Sequence, residues 1–528
     1  MRILQVMPWC LCPAICCGAC TAFLPQRTAP PEGPIPTRFT LGNTDVAESN
    51  RWWQDFESEE LNRLIDVALR ENLSLRQLWA RLEQAGCQVV MAASGLYPQV
   101  TVGADAAYRR TVTKVDSEAS SLKSRLGETV ANEVSKGISK ALGQDSGATS
   151  SSGSAPGTQE QSSPSRLIRE TKSFGLSLAA NYEVDVWGRV ASAYRAARFD
   201  FAASREDLES TAMTLVAEVA ERWLRILEQQ ELQRLLSEQL ATNKIYLELV
   251  ELRFRKGQVS ALDVYQQRQA VSEVERLLPL SEAEEQVLRH DLALLMGKPP
   301  TADLTVGLYD LASVPDPPGT GIPAELLARR PDVRGALSRL HAADHRVASA
   351  RADRLPAILL NGGIGYDTGD IAHLFDDWFL NLAAALTAPL FDGFRRQAEV
   401  DRTLAVVEQR LSEYRLAVLT AIKEVEDALI RERKQCEHIQ GLSRQLEDAR
   451  NALREASGRY QAGLSDYLPV LAALERTQSL ARTLVVARRE LLVTRIDLYR
   501  ALGGTWTQEL EPPVRASDEA AEPKDSES

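Results

Sequence analysis

From Val190 to Lys256 the chain carries neither glycine nor proline, and its apolar residues return at helical spacing: Val216, Val219, Trp223 and Ile226, then Leu232, Leu235 and Leu240. This pattern predicts one helix over 190–256, about 100 Å long at about 1.5 Å per residue. A tight turn at Gly257 and a returning helix over 258–297 follow, with a kink expected at Pro279. The plan recurs further on, as a helix over 394–457 interrupted only at Gly441, a turn at Gly463 and a helix over 464–503. Helices of this length cannot bury themselves within a compact domain. They must pair as antiparallel coiled coils and associate with other copies.

The segments before the long helices switch to period two. Over 173–187, Phe174, Leu176, Leu178, Ala180, Tyr182, Val184 and Val186 share one face, opposite Ser173, Gly175, Ser177, Asn181, Glu183 and Asp185. Over 378–391, Trp378, Leu380, Leu382, Ala384, Leu386 and Leu390 oppose Asn381, Ala383 and Thr387. Strands about 98–110 and 356–367 alternate more weakly and hold several glycines. A soluble half-buried sheet would show the same alternation. The neighbouring helices are too long for a sandwich, however, and aromatic residues near the strand ends (Tyr97, Tyr108, Trp187, Tyr366, Trp378) suit an interfacial girdle. Four strands cannot close a membrane barrel, and an open edge in lipid leaves backbone groups unsatisfied. Copies must share one barrel: two chains give eight strands and three give twelve.

An internal repeat ties these observations together. Arg253, Phe254, Gly257, Leu262 and Val264 match Arg459, Tyr460, Gly463, Leu468 and Val470 at an offset of 206. Arg76, Arg81 and Pro98 match Arg334, Arg339 and Pro356 at an offset of 258. The first half therefore holds 52 more residues between Pro98 and Gly188, in an interval that contains a Ser-rich loop about 111–170. The predicted organisation is a first repeat over 51–300, a linker over 301–321, a second repeat over 322–505 and an acidic disordered tail over 506–528.

Composition narrows the function. With 44% hydrophobic and 25% charged residues the chain suits a folded protein. Its formal net charge of -12 and lack of a basic stripe argue against a nucleic-acid partner. No run of about 18 apolar residues follows residue 25, so a helical membrane span is not expected. Five of the seven cysteines lie in the first 20 residues, which excludes a disulfide scaffold. Arg2, the apolar stretch Ile3–Ile15 and Gly18-Ala19-Cys20 have the form of a secretory signal over 1–19. A proline-rich tether over 20–50 follows. Of the five histidines, His341 and His345 stand i,i+4, but Ala-Ala-Asp separates them rather than a Glu-containing metalloprotease signature. There is no phosphate loop, nucleophile elbow or Cys-x-x-Cys pair, so neither an enzyme, a cofactor nor a metal site is expected.

Several motifs resemble those of the TolC-like outer-membrane factor family, in the lipoprotein branch that serves efflux pumps. They are Arg51–Phe56 with Leu61–Ile65, Leu75-Arg76 with Ala80–Leu82, Tyr182–Arg189, Ile322–Val333 and Pro389–Arg395, in order over residues 50–505. The resemblance implies a mainly α protein with transmembrane β: a duplicated unit whose four strands join a trimeric 12-stranded β-barrel, continued by a long periplasmic α-helical coiled-coil barrel. It implies a homotrimer in the outer membrane of a Gram-negative bacterium, working with a periplasmic adaptor and an inner-membrane efflux pump, as a passive duct without enzymatic activity. Gly-Ala-Cys resembles a lipobox and implies lipid attachment at Cys20, although Cys17 stands where the family has Leu, Val or Ile. The turns Lys256-Gly257-Gln258 and Ala462-Gly463-Leu464 resemble the family's adaptor-docking tips. The family's tip aspartates are replaced by Pro469 and Ala472. Asp263 and Asp466 are the alternative pore-gate candidates, and a solvated surface charge is the competing reading of each. Two other functions stay open at this point: an exit duct for secreted proteins, and a periplasmic coiled-coil adaptor or structural protein.

Overall fold

The structure is a computed structural model, in which residues 36, 38–41, 51–114, 166–301, 306–307, 314–315, 317–321, 323 and 328–512 are described. Cys20, most of the tether and the centre of the Ser-rich loop lie outside them. The chain divides into a helical unit and a strand unit.

The helical unit contains α1 (Glu59–Glu71), α2 (Leu73–Ser94), α3 (Arg189–Arg255), α4 (Ala261–Leu295), α5 (Pro331–Ala352), α6 (Arg395–Gln461) and α7 (Leu468–Leu502). The long helices α3 and α6 have 67 residues each, and their returning partners α4 and α7 have 35 each. Each long helix starts from a left-handed residue, Gly188 at φ 73° and Phe394 at φ 66°. At α3, the Asp185 carboxylate accepts from the Val190 and Ala191 amides at 3.1 and 2.6 Å, satisfying two of the four donors a helix start leaves open. α3 packs against α1, α4, α5 and α7, while α6 packs against α5 and α7.

The main core gathers where the two repeats meet. Trp223 of α3 is buried and donates from Nε1 to Glu60 at 3.0 Å. Trp52 stacks on Tyr499 of α7 at 5.3 Å, and the Tyr499 hydroxyl donates to Asp55 at 2.8 Å. Trp53 meets Trp506 edge-on at 4.9 Å. The start of the first repeat is thereby fastened to the end of the second.

In the strand unit, β1 (Gln99–Lys114), β2 (Arg166–Val184), β3 (Ala357–Thr368) and β4 (Trp378–Thr387) form one antiparallel sheet in chain order. β3 carries Gly362, Gly363 and Gly365, and a Cβ at Gly365 would lie 2.6 Å from the Leu176 carbonyl oxygen. Glycine there lets β2 and β3 approach closely enough to pair.

Several boundaries differ from the sequence reading. β1 and β2 extend into the expected loop, because Thr111–Lys114 pair with Arg166–Arg169 and satisfy one another's backbone groups. The last strand ends at Thr387 rather than 391, since β3 offers no partner past that point. Neither Gly441 nor Gly458 ends α6, which runs on to Gln461, and α4 and α7 begin only at Ala261 and Leu468. The tail is not wholly free: Trp506–Glu509 form a 3₁₀ turn with Trp506 buried. Among the described tether residues, buried Phe39 packs with Val333, Tyr414 and Leu498 and the Thr40 amide donates to Glu426 at 2.8 Å.

Candidate functional site: an uncovered apolar sheet face and two helix tips

The pairing register aligns the apolar residues of all four strands. Val102, Leu178, Ile364 and Leu380 form one continuous row. The neighbouring rows on that face are Ala104, Leu176, Tyr366 and Trp378, and Val100, Ala180, Gly362 and Leu382. Mostly small and polar residues line the other face, with Gly103, Ser177 and Gly365 in one row that ends at the aromatic Phe379, and Thr101, Ala179, Gly363 and Asn381 in the next. The apolar face has no cover within the sheet, and Leu382 is 77% exposed. Ten residues at about 3.3 Å each, tilted as in a barrel, span about 25 Å, the height of a membrane barrel's apolar band. Tyr366 and Trp378 lie toward the loop end of that face. Among the described residues no helix is long and apolar enough to cross a membrane.

Where each long helix reverses into its returning partner, the two turns share one construction. After α3, the Gly257 amide donates to Phe254 at 2.8 Å and Gln258 to Arg253 at 2.9 Å, with Gly257 at φ 70°. After α6, Gly463 donates to Tyr460 at 3.1 Å and Leu464 to Arg459 at 2.9 Å, with Gly463 at φ 73°. This pair of hydrogen bonds closes a helix end around a left-handed residue, which is why glycine occupies both positions. An open groove of 1110 Å³ lies between the turns, lined by Gly257, Gln258, Asp263, Ala462, Gly463, Leu464 and Asp466 among others. All the tip candidates except Lys256 therefore come together. Asp263 is engaged locally, since its Oδ2 accepts from the Ser260 amide and hydroxyl, both at 2.9 Å, closing a capping box at the start of α4. Asp466 is exposed on the groove.

Behind the tip, a buried polar chain joins the two hairpins. The Tyr467 hydroxyl donates to Gln267 at 2.6 Å, and Gln267 donates to the Asn243 carbonyl at 2.8 Å. Gln478 of α7 donates to the Asn243 side chain at 2.9 Å, while Gln239 donates to the Gln478 carbonyl at 3.2 Å. Arg253 lies 4.2 Å from the centroid of the Tyr460 ring and donates to the Tyr460 carbonyl at 3.1 Å. Burial first, then the neighbouring Tyr246 and Tyr460, push the Tyr467 phenol well up, so it remains a donor across the physiological range.

A profile described as outer membrane efflux protein matches residues 146–298 and 322–504, more than half of the chain. The chain belongs to the outer membrane efflux protein family. It is 32% identical to the pyoverdine export outer membrane protein OpmQ of Pseudomonas aeruginosa, over 93% of this chain and 94% of that one. To outer membrane protein OprJ of the same species it is 27% identical, over 94% of this chain and 95% of that one. Among solved structures, the outer-membrane channel OprN superimposes with a TM-score of 0.77 at 25% identity, covering 92% of this chain and 100% of that one. CusC does so with a TM-score of 0.72 at 25% identity, covering 90% and 98%. This efflux protein is an outer-membrane channel component, mainly α, with a duplicated unit and, among the described residues, four strands.

With the family in hand, its motifs acquire physical roles. In Ile322–Val333, Pro331 opens α5 and Arg330 is buried: it grips Asp332 with two bonds of 3.0 and 2.7 Å, reaches Glu424 of α6 at 2.7 Å and donates to the Ala501 carbonyl at 3.1 Å. The motif is a clasp between α5, α6 and the end of α7. His341 and His345 both pack on Phe199, at 5.3 and 5.4 Å. The sequence reading missed the polar chain behind the tip. Its one signal was a set of amides (Asn243, Gln267, Gln478) at positions where the helical period places apolar residues.

Proposed function

We propose that three copies of this efflux protein close a twelve-stranded barrel in the outer membrane, continued by a helical barrel in the periplasm. Together they form the passive exit duct of a tripartite pump. One observation carries the reading: a four-stranded sheet that, among the described residues, has one face apolar and uncovered and both edge strands, β1 and β4, open. Lipid can cover the face but cannot satisfy the edges, because each unpaired backbone group there costs several kcal/mol. Pairing β4 of each chain with β1 of the next removes both edges.

The groove between the two turns is the docking site for a periplasmic adaptor, through which an inner-membrane pump supplies the energy. Gly257, Gln258, Ala462, Gly463 and Leu464 are its contact residues, with Lys256 next to them in the first turn. Asp466 is the acidic side chain presented to a passing cation, since Asp263 is drawn into its cap. The duct has no enzymatic activity and needs no cofactor. Lipid on Cys20 anchors the N-terminus. The matched relatives are named for export of pyoverdine and for antibiotic or toluene efflux, which favours small molecules over secreted proteins as cargo.

Outer-membrane fractions should contain the protein as a heat-modifiable oligomer of three chains, and deleting its gene should sensitise cells to small toxic compounds. Recovery as a soluble periplasmic monomer would refute the reading. Mass spectrometry of the mature N-terminus, with Cys20→Ser as control, tests the anchor.

A further inference from the structure

The apolar face of the sheet runs along β2 from Val184 to Phe174, paired with Ile358 to Thr368 of β3. Ten residues of tilted strand rise about 25 Å, the full height of a membrane barrel's apolar band. β1 and β2 do not stop there. On the same face, toward the loop end, their next rows are Tyr108 with Lys172, Arg110 with Glu170, Val112 with Ile168 and Lys114 with Arg166. Each row adds two residues of strand, about 5 Å of height once tilted. Lys172 and Arg110 therefore stand about 5 and 10 Å beyond the band, where side chains of their length reach the headgroup layer.

We propose that Arg110 and Lys172 hold the phosphate of a phosphorylated lipid headgroup in the outer leaflet, with the Lys114–Arg166 row continuing the cationic ladder. The inference rests on the membrane-barrel reading above and adds a lipid site on the outside of that barrel. Three observations support it.

The first is where the positive charge gathers. The chain has a formal net charge of -12, yet residues 108–114 and 166–172 hold Arg109, Arg110, Lys114, Arg166, Arg169 and Lys172 against a single acid, Glu170. The corresponding connection between β3 and β4 is acidic, with Asp367, Asp370, Asp376 and Asp377 and no Lys or Arg. An anionic surface would therefore be drawn to the β1–β2 hairpin and not to its counterpart.

The second is that the cations are available. Among the described residues Lys172 enters no ion pair. Arg110 meets Glu170 only at 3.6 Å, too long for a hydrogen bond, and both side chains are about half exposed. Acids of the β3–β4 connection are engaged within their own turn: Asp370 accepts from the Ala372 amide at 3.1 Å, and Asp376 bonds His373 at 2.7 Å.

The third is what lies between the cations. Tyr108, beside Lys172, and the apolar pair Val112–Ile168, beyond Arg110, are exposed on the same face. Cations interleaved with an interfacial aromatic and apolar side chains fit a lipid headgroup, whereas a free phosphate ion would gain nothing from the apolar ones. Arg109 and Arg169 fall on the opposite face and are not part of the site.

The test uses the full-length protein, purified as an oligomer in non-ionic detergent and titrated with diphosphoryl lipid A or with the same lipid stripped of its phosphates. Wild type should bind the phosphorylated lipid about thirtyfold more tightly, the factor expected of two cations near a lipid surface. Arg110→Gln combined with Lys172→Gln should bind the two lipids equally, while Arg110→Lys combined with Lys172→Arg should retain the preference. Arg109→Gln with Arg169→Gln, on the opposite face, should leave it within about twofold. Equal binding of both lipids by wild type would overturn the site, as would an equal loss from the opposite-face pair. Displacement by excess inorganic phosphate would assign the site to a free anion and refute the lipid. If the Arg110 and Lys172 double variant no longer migrates as the heat-modifiable oligomer, the two cations serve assembly and the proposal fails. Each of these results leaves the barrel reading standing. A wild type that is monomeric and binds neither lipid would overturn both.

Discussion

The bond between Tyr467 and Gln267 gives the clearest stability test, because its two partners sit on different repeats and both are fully enclosed, at 1% and 0% exposure. Tyr467→Phe removes the donor and leaves the Gln267 oxygen without it. Gln267→Leu removes the acceptor and strands the phenol. Each should cost about 1–3 kcal/mol, the penalty for a buried polar group that loses its partner. In the double variant both positions are apolar and of similar volume, so no group of the pair is stranded and only the Gln267 bond to the Asn243 carbonyl is lost. The double variant should therefore be less destabilised than the sum by at least about 1 kcal/mol. Denaturant midpoints in detergent, at fixed protein concentration and with unchanged slope, report these differences. If the two penalties add to within about 0.5 kcal/mol, the bond does not couple the hairpins, and the account of the polar chain is wrong.

Three further outcomes follow from the geometry. Leu382→Arg, in the middle of the apolar face, should cost about 2–4 kcal/mol of assembly, whereas Ala383→Ser on the opposite face should assemble normally; equal tolerance, read by heat-modifiability on gels, would contradict the facing of the sheet. Arg330→Ala should destabilise by about 1–3 kcal/mol, below the usual cost of breaking a buried pair because Asp332 and Glu424 keep access to water, and Arg330→Lys should recover only part of it since one ammonium cannot replace the two-bonded fork. At Glu285, burial pushes the carboxyl up, but hydrogen bonds from Arg289, Gln233 and Gln230 outweigh it and hold the group below its ordinary range. Its stabilisation is complete above the unfolded carboxylate range and disappears as the pH falls through the lower folded value, so Glu285→Gln should flatten the acid limb of the stability profile; an unchanged limb would argue against the cluster.

The sequence by itself determined the elements and their duplication. Helical period over 67 residues without glycine or proline leaves no competing structure, and strict alternation around Leu178 and Leu382 fixes which face of a strand is apolar. The two offsets held because a repeat preserves spacing wherever packing depends on it. The sequence did not determine where elements stop or what holds them together. β1 and β2 outrun their apolar pattern because backbone pairing is indifferent to side chains. β4 stops short of its pattern because a strand needs a neighbour and the single chain supplies none. Phe39 and Trp506 sit in segments with no period at all, and only the assembled helices create the hollows that bury them. Tyr467 bonds Gln267 across 200 residues of sequence, the Ala501 carbonyl bonds Arg330 across 171, and Tyr499 bonds Asp55 across 444. Local pattern carries no information over such separations, so those contacts were decided by the tertiary structure alone.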